Sequence, residues 1–504
     1  MKKYDVVIVG SGLGALLCAY ALGKEGRSVL ILERNQQIGG SLQTFVRDKI
    51  IFDTGIHYIG GLDEGQNLNR YFKYFGLMKE LKLKKMDIHG FDRISFHGDP
   101  QEYHYDQGYD NFIETLSGYF PDERPGIVRY TDKLKQICAS FPLYNLGDDG
   151  LTGVAFEYLS INARDFIAEC VSNPRLRSVL GGTNPLYAGS GEKTPLYVHA
   201  LINNTYIESS WRCVNGGSQI SKILAKSIRS FGGEILRYKT AKKFVFEGSE
   251  LTAVEMIDGE RFYGKSFISN IHPVQTLRML EDGTVRPAYR NRINALENTV
   301  SVFTVHIVFK KDTFPYPNYN HYHYHYDKVW EAMAYSEATW PEGYSMFFGL
   351  SSKMDDFAEN VNIMTYMHYE EVKPWAATYN TVAEKENRSE SYKEFKRMKA
   401  EKIIDRVELK FPGFRNCIHA YYTSTPLTVR DYIGSDDGTL YGIAKDFRDP
   451  LRSFISPKTK IPNLFLTGQN LNMHGVLGVT ISAVQTAAEY LGMENLLKDI
   501  KASS

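Results

Sequence analysis

The sequence predicts an α/β fold in which a discontinuous Rossmann-type, nucleotide-binding domain is joined to an α+β domain built from two insertions. Three observations predict it. A β-branched run, Val6 to Val9, passes into Gly10-Ser11-Gly12-Leu13-Gly14-Ala15 and then an apolar helix ending near Gly26. A similar strand, glycine turn and helix closes the chain over residues 461–491. Between them, residues 211–273 return to strand and helix patterning, while two long stretches of different character lie on either side. The nucleotide domain is therefore expected from 1–75, 206–275 and 455–504, and the second, substrate-binding domain from 76–205 and 276–454.

In the opening turn Gly10 permits a tight bend, Gly12 leaves room for a pyrophosphate at the backbone, and Ala15 is the third small position, where helix lies close on strand. Phosphates would sit on the helix N-terminus, with Leu13 and Gly14 in its first turn. A second strand, residues 28–32, leads to Glu33, 23 residues beyond Gly10. A carboxylate at that distance suits an adenosine ribose and disfavours a 2′-phosphate, leaving FAD or NAD.

Lysine plus arginine equals aspartate plus glutamate at 59 each, so net charge does not call for nucleic acid. The five cysteines are scattered without a CxxC pair, which argues against a disulfide scaffold and a cysteine metal site and for a reducing compartment. No run reaches the roughly 18 apolar residues of a membrane span, and glycines break the N-terminal apolar stretch, so a cytoplasmic location is expected. With 34 tyrosines and 28 phenylalanines, the rings either line a large apolar cavity or serve core packing.

After Glu33 come Arg34 and, in the middle of residues 34–45, Gly39-Gly40-Ser41, where backbone N–H groups can approach a pyrophosphate or a flavin edge. Next stands Phe52-Asp53-Thr54-Gly55-Ile56-His57-Tyr58-Ile59-Gly60-Gly61, whose glycines imply backbone packed on something flat. His57 and Tyr58 beside it are candidates to supply a proton to a carbon centre. Residues 70–87 carry Tyr71, Tyr74, Phe75, Met78 and Leu81 near helical spacing among basic side chains, which reads either as a core-facing helix with a solvated cationic side or as a segment lying in a membrane interface.

Residues 88–205 show no phosphate loop, metal spacing or repeat and are expected to carry substrate contacts. Gly216-Gly217 opens an amphipathic helix that Gly232-Gly233 stops; residues 234–238 follow as a strand, 243–247 and 252–256 as a hairpin, and 266–269 as a return to the core. In the second insertion the strand 300–309 precedes His321, His323 and His325 alternating with tyrosines. Histidines two apart on one strand face are about 7 Å from each other and do not converge readily on one ion, so the expectation is an aromatic cavity wall and no metal. A charged helix is expected over 384–410 and a long ligand-closing loop over 421–441.

In the closing element a buried strand, 464–466, turns at Gly468 and runs through Gln469, His474, Gly475 and Gly478 into a helix expected to start near Val479. That helix end would stabilise the negative charge of a reduced flavin ring. One such turn at each end of the chain suits FAD, with ADP at one and the ring system at the other. His474 is the third candidate for proton transfer.

With these residues in place the chain resembles the FAD-dependent family of phytoene desaturases, carotenoid isomerases and retinol saturases, itself related to the amine oxidases. The resemblance rests on VVIVGSGLGALLCAYALGKEG, VLILERN and GGS, on FDTGIHYIGG, on NGGSQISKILAKSIRSFGGEI, and on NLFLTGQN with HGVLGV. It implies FAD contacts from Gly10, Gly12, Gly14, Glu33, Gly39, Gly40, Gly468 and residues 475–479, a lipophilic unsaturated substrate, and association with a membrane surface. Hydride exchange at flavin N5 with proton transfer at the next carbon is the implied chemistry, in the saturating, desaturating or isomerising direction. No second GxGxxG follows a strand, so electrons would arrive by transient nicotinamide contact, from a quinone or from dioxygen. The rivals are an amine-oxidase-like enzyme and a non-catalytic escort for prenyl chains.

Overall fold

In the computed structural model, which describes residues 2–147, 154–353, 356–382 and 385–503, the strand Lys3–Val9 lies inside a seven-stranded sheet. The sheet runs Glu234–Leu236, Val29–Leu32, Lys3–Val9, Arg261–Ser269, Glu250–Met256, Ala241–Glu247, and Leu464–Leu466 pairs beside Arg261–Ser269. All pairs are parallel except those of the hairpin formed by Ala241–Glu247 and Glu250–Met256 and its join to Arg261–Ser269. Helices cover this sheet, so Val6 to Val9 and Val29 to Leu32 are buried throughout, which is why these strands read as unbroken apolar runs.

The helix Leu13–Lys24 is buried from Leu13 through Gly23 because Gly475–Leu491 and Ser218–Ser230 pack around it. The Cys18 thiol donates to the Ala483 carbonyl at 3.5 Å, tying the first helix to the closing one, and burial pushes that thiol up to about 12. The closing helix begins at Gly475, four residues before the expected start, with His474 at its N-cap.

A second seven-stranded sheet runs Ile418–Ser424, Ser301–Phe309, Asn360–Met367, Gly343–Phe348, Asn320–Tyr324, Asp92–Phe96, Glu102–Tyr105. Along Ser301–Phe309 alternate side chains diverge. Phe303, Val305 and Ile307 pack with Ile403, Ile404 and Val407 of the helix Glu390–Lys410, while Val302, Thr304 and His306 face the main cavity. That helix, expected from 384, begins at Glu390: residue 384 lies outside the described residues, and residues 385–389 are not helical.

Two expectations change. Residues 70–87 are not one helix: Asn67–Tyr74 ends before Gly76, whose φ of +69° is left-handed, and Leu83–Lys85 is a strand beside Ser210–Cys213. Tyr71, Tyr74 and Phe75 are buried, so the apolar side of this segment faces the core. Residues 421–441 are not a continuous loop either. Ile418–Ser424 is a strand and Pro426–Ile433 a helix, started by Thr425 and Thr428 in a capping box with proline at the first helical position. Among the described residues no helix is long and apolar enough to cross a membrane.

Candidate active site

A cavity of about 990 Å³ lies between the two sheets, and both ends of the chain line it. Gly10 to Gly14 and Gly468, Gln469, Gly475, Val476 and Val479 meet there. The close approach has a steric basis. A Cβ on Gly14 would stand 2.8 Å from Asn270 Oδ1 and 3.0 Å from the Gly468 nitrogen, and a Cβ on Gly12 2.6 Å from Asn270 Nδ2. Gly12 is thus small for the protein's own asparagine as well as for a ligand. Asn270 follows the strand Arg261–Ser269 and donates its backbone N–H to Val9 O, which fixes it between the two turns.

Glu33 is buried at the end of Val29–Leu32. Its Oε2 accepts from the Ser11 N–H at 3.1 Å and Ser11 Oγ at 2.5 Å, and its Oε1 from the Asn35 N–H at 2.7 Å. Ser11 Oγ accepts from the Gly39 N–H at 3.1 Å, so one carboxylate holds the first turn, its own loop and the second glycine pair in register. Gly39 and Gly40 both have left-handed φ, and a Cβ on Gly40 would lie 3.2 Å from Gly12 Cα. Arg34 lines the same cavity and donates to the Asp431 carbonyl at 2.7 Å. Ser41 and Gly55 form the next part of the wall, a Cβ on Gly55 lying 2.9 Å from the Ser41 carbonyl.

The charge lining the cavity suits an anion. Arg34, Arg47, Lys239, Lys242, Arg278 and Lys396 line the cavity against Glu33 and Asp53, and the helix ends at Leu13 and Gly475 add positive dipole ends. The glycine cradle, the ribose-distance acid and the two helix ends fit a dinucleotide. The lining also includes the apolar Val302, Phe347 and Met364.

Of the three proton-transfer candidates the structure brings two to the cavity. The His57 ring lines it, stacked on Phe347 at 4.5 Å, and its Nε2 is buried with no hydrogen-bond partner. A chain of hydrogen bonds ends on the other ring nitrogen. Ser424 Oγ lies 2.8 Å from His306 Nε2, His306 Nδ1 2.6 Å from Asn362 Oδ1, and Asn362 Nδ2 3.4 Å from His57 Nδ1. Because the Asn362 amide nitrogen donates, His57 Nδ1 accepts and the proton of the neutral ring sits on Nε2. Burial, with His306 and Arg212 adding to it, pushes His57 down to about 3, so the ring is neutral at pH 7.

Tyr58 also lines the cavity, but its hydroxyl turns away to Asp92 Oδ2 at 2.8 Å and Tyr322 Oη at 2.9 Å, which leaves the ring as wall. His474 does not line the cavity; its ring lies tilted against Tyr441, centroids 4.6 Å apart, and it occupies the N-cap position of the closing helix without a side-chain cap. Ala15 and Gly478 likewise lie off the cavity wall, packed inside their helices. Nor does the His/Tyr strand form the main cavity wall as expected: Tyr322 stands behind Tyr58, and His321 and His323 share Ser95. Of the described residues among 76–205 only Pro185 and Leu186 reach the cavity, so the rest of that wall comes chiefly from residues 276–454.

Sequence reasoning missed His306, Asn362, Phe347, Asn270 and Asp53. Asp53 lines the cavity and accepts from the Gly217 N–H at 2.7 Å, and burial pushes it up to about 7. A signal existed only for Asp53, which precedes the glycine and histidine of its motif. His306 and Asn362 face each other through antiparallel register, which no local pattern announces.

A family model described as an NAD(P)-binding Rossmann-like domain matches residues 8–75. Human all-trans-retinol 13,14-reductase is 25% identical over 545 residues, covering 99% of this chain and 87% of the relative. Prolycopene isomerase 2 of an Oncidium hybrid cultivar is 26% identical, covering 98% and 85%. The resemblance read from the motifs holds over nearly the whole chain. This chain is an oxidoreductase-type enzyme related to these proteins. Cyclohexylamine oxidase of Brevibacterium oxydans shares its fold, with a TM-score of 0.61 at 14% identity, covering 99% of each chain.

Buried titratable groups give this enzyme a predictable acid response. Burial, the first cause in each case, holds His57 and His199 at about 3 and His306 and His474 at about 4, against 6.5 in the unfolded chain. Unfolding therefore takes up protons below pH 6.5, and this part of stability is lost as pH falls toward 4. Asp53 and Asp92, pushed up to about 7 by burial from 3.8, act oppositely: their contribution is full below pH 4 and lost as pH rises to 7. With His321 and His325, also held at about 4 by burial, the lowered imidazoles outnumber the two raised carboxylates, so the balance between pH 6.5 and 4 is a loss of stability. The thermal midpoint is expected to drop across that window; a flat or rising midpoint contradicts the assignment.

Proposed function

We propose that this enzyme is a FAD-dependent oxidoreductase acting on carbon–carbon double bonds of a lipophilic isoprenoid or another unsaturated lipid. The observation that carries the reading is one cavity lined both by Glu33 and the glycine turns and by the apolar Val302, Phe347 and Met364. The former suit ADP and the latter an unsaturated chain. The named activities of the relatives, on retinol and on prolycopene, point to the same substrate class.

Glu33 would hold the ribose, residues 10–14 and Gly39 and Gly40 the pyrophosphate, and residues 468–479 the ring system. When bound, the flavin supplies hydride exchange at N5. His57 holds a proton on Nε2 beside the cavity, and the Ser424–His306–Asn362 chain fixes that tautomer and the ring's orientation. Phe347 keeps the ring flat against the wall, and the apolar side chains exclude water from the reacting carbon. His57→Leu is expected to cut turnover by roughly 100-fold or more while the flavin stays bound, in line with the usual worth of a hydrogen-bond donor fixed toward charge that develops at the reacting atom. Wild-type turnover in that variant would remove His57 from the chemistry.

The defining experiment is to purify the protein, record its visible spectrum, reduce it anaerobically and test which of retinol, a poly-cis carotenoid or an unsaturated fatty acid reoxidises it. Oxidation of amines with release of hydrogen peroxide would overturn the reading in favour of an amine oxidase, and a colourless protein that takes up no FAD would favour a prenyl-chain escort. The electron partner in this reading is a nicotinamide, a quinone or dioxygen, each distinguishable by the rate at which it changes the flavin spectrum. The reading extends to a cytoplasmic protein that contacts a membrane surface to reach its substrate, which cell fractionation tests.

A further inference from the structure

Three histidines outside the cavity converge. The strand Asp92–Phe96 runs parallel to Asn320–Tyr324 with Ser95 opposite His323 and Phe96 opposite Tyr324, and the His97 N–H donates to the Tyr324 carbonyl at 2.8 Å. The same register carried one residue further sets His97 beside His325, on the face that holds His323. A single strand could not bring three imidazoles to one point, but the neighbouring strand supplies the missing one. One ring nitrogen from each of His97, His323 and His325 lies within 4.8 Å of the others.

The surroundings are those of a ligand set. His325 is buried, and both its ring nitrogens lack a hydrogen-bond partner, although an imidazole always has a proton to donate and a lone pair to fill. His323 is buried and uses Nδ1 on Ser95 Oγ at 2.7 Å, leaving Nε2 as its available atom, and the same hydroxyl meets His321 Nε2 at 2.9 Å. A hydrogen bond on the far nitrogen is how proteins orient a metal-binding imidazole. His97 is exposed, so the cluster opens to solvent on one side and its ring is free to close the last ångström. The charged groups nearby are Lys410, Arg406, Arg93 and Glu102, with Glu102 paired to Lys410 at 3.0 Å. That balance disfavours oxygen-seeking calcium and magnesium and leaves ions that prefer neutral imidazole.

We propose that His97, His323 and His325 form a binding site for a divalent ion of the zinc class, with a fourth position open to water or an exogenous ligand. Zinc bonds of 2.0–2.1 Å place nitrogens roughly 3.3 Å apart, so binding draws the three rings together and fastens the end of Asp92–Phe96 to Asn320–Tyr324. None of the three lines the main cavity, so the ion is structural with respect to the proposed chemistry.

The test titrates zinc chloride into chelator-treated full-length protein, by calorimetry and by thermal melting. One ion per chain with a Kd at or below the micromolar range, and a raised melting midpoint, are expected. His97→Ala and His325→Ala should each weaken binding at least 10-fold, and cobalt should give the ligand-field spectrum of a four-coordinate site that both variants lose. His97 is exposed, so its variant keeps the fold, which circular dichroism checks. His89→Ala, a second exposed histidine paired with Asp106, should leave binding unchanged. Absence of stoichiometric binding, or binding that survives in both variants, overturns the site.

Discussion

Replacing Gly14 with valine is expected to abolish flavin binding and lower the melting temperature. The Cβ alone would meet Asn270 Oδ1 at 2.8 Å and the Gly468 backbone at 3.0–3.1 Å, and valine adds two methyl groups in the same place. Gly468 is held in left-handed geometry at φ +104°, and Asn270 is tied through its backbone to Val9, so neither neighbour yields cheaply. Overpacking of this kind costs about 1–3 kcal/mol, and here the strain falls where the opening and closing turns must meet. Visible absorbance of the purified variant should fall to background while soluble protein remains. Full yellow occupancy would show that the two turns need not approach to hold the cofactor.

Glu33→Ala carries the second large effect. It removes the acceptor of the Ser11 N–H, Ser11 Oγ and the Asn35 N–H, and with it the proposed ribose contact. Hydrogen bonds to a charged group contribute about 1.5–3 kcal/mol each, so loss of one or two ribose bonds weakens FAD by roughly 10- to 10,000-fold. Glu33→Gln keeps the shape but converts one oxygen to a donor facing the Ser11 N–H or the Asn35 N–H, so it should recover only part of the affinity. Fluorescence of flavin released on dilution measures both variants, and affinities equal to the unmodified chain would move the ribose site elsewhere.

These two predictions rest on features legible in the sequence, because the strand, turn and helix of residues 4–33 are local. Hydrophobic run, glycine spacing and the position of Glu33 each express short-range geometry. The hairpin at Ala241–Glu247 and Glu250–Met256 and the strand at Glu234–Leu236 were legible for the same reason. His57 was visible as a candidate through its glycine-flanked motif. What holds it was not: His306 and Asn362 are 56 residues apart, and only the register of Ser301–Phe309 against Asn360–Met367 makes them neighbours.

Tertiary structure also took two residues out of the chemistry that pattern alone gave them: Tyr58 gives its hydroxyl to the buried Asp92, and His474 is screened by Tyr441. Tyr322, expected in the cavity wall, stands behind Tyr58 instead. Side-chain direction depends on which partners lie across the interface, and periodicity carries no record of that. The histidines of the same strand show the reverse case: spacing argued against a shared ion, and an adjacent strand brought His97 to complete the set.

By itself the sequence determined the nucleotide-type sheet, its two helix-end turns and the acid beside them, since strand propensity, glycine conformation and charge act over a few residues. Only the folded chain decided which residues face the cavity, how the proton on His57 is positioned and where the imidazoles converge, because those depend on contacts between segments tens to hundreds of residues apart.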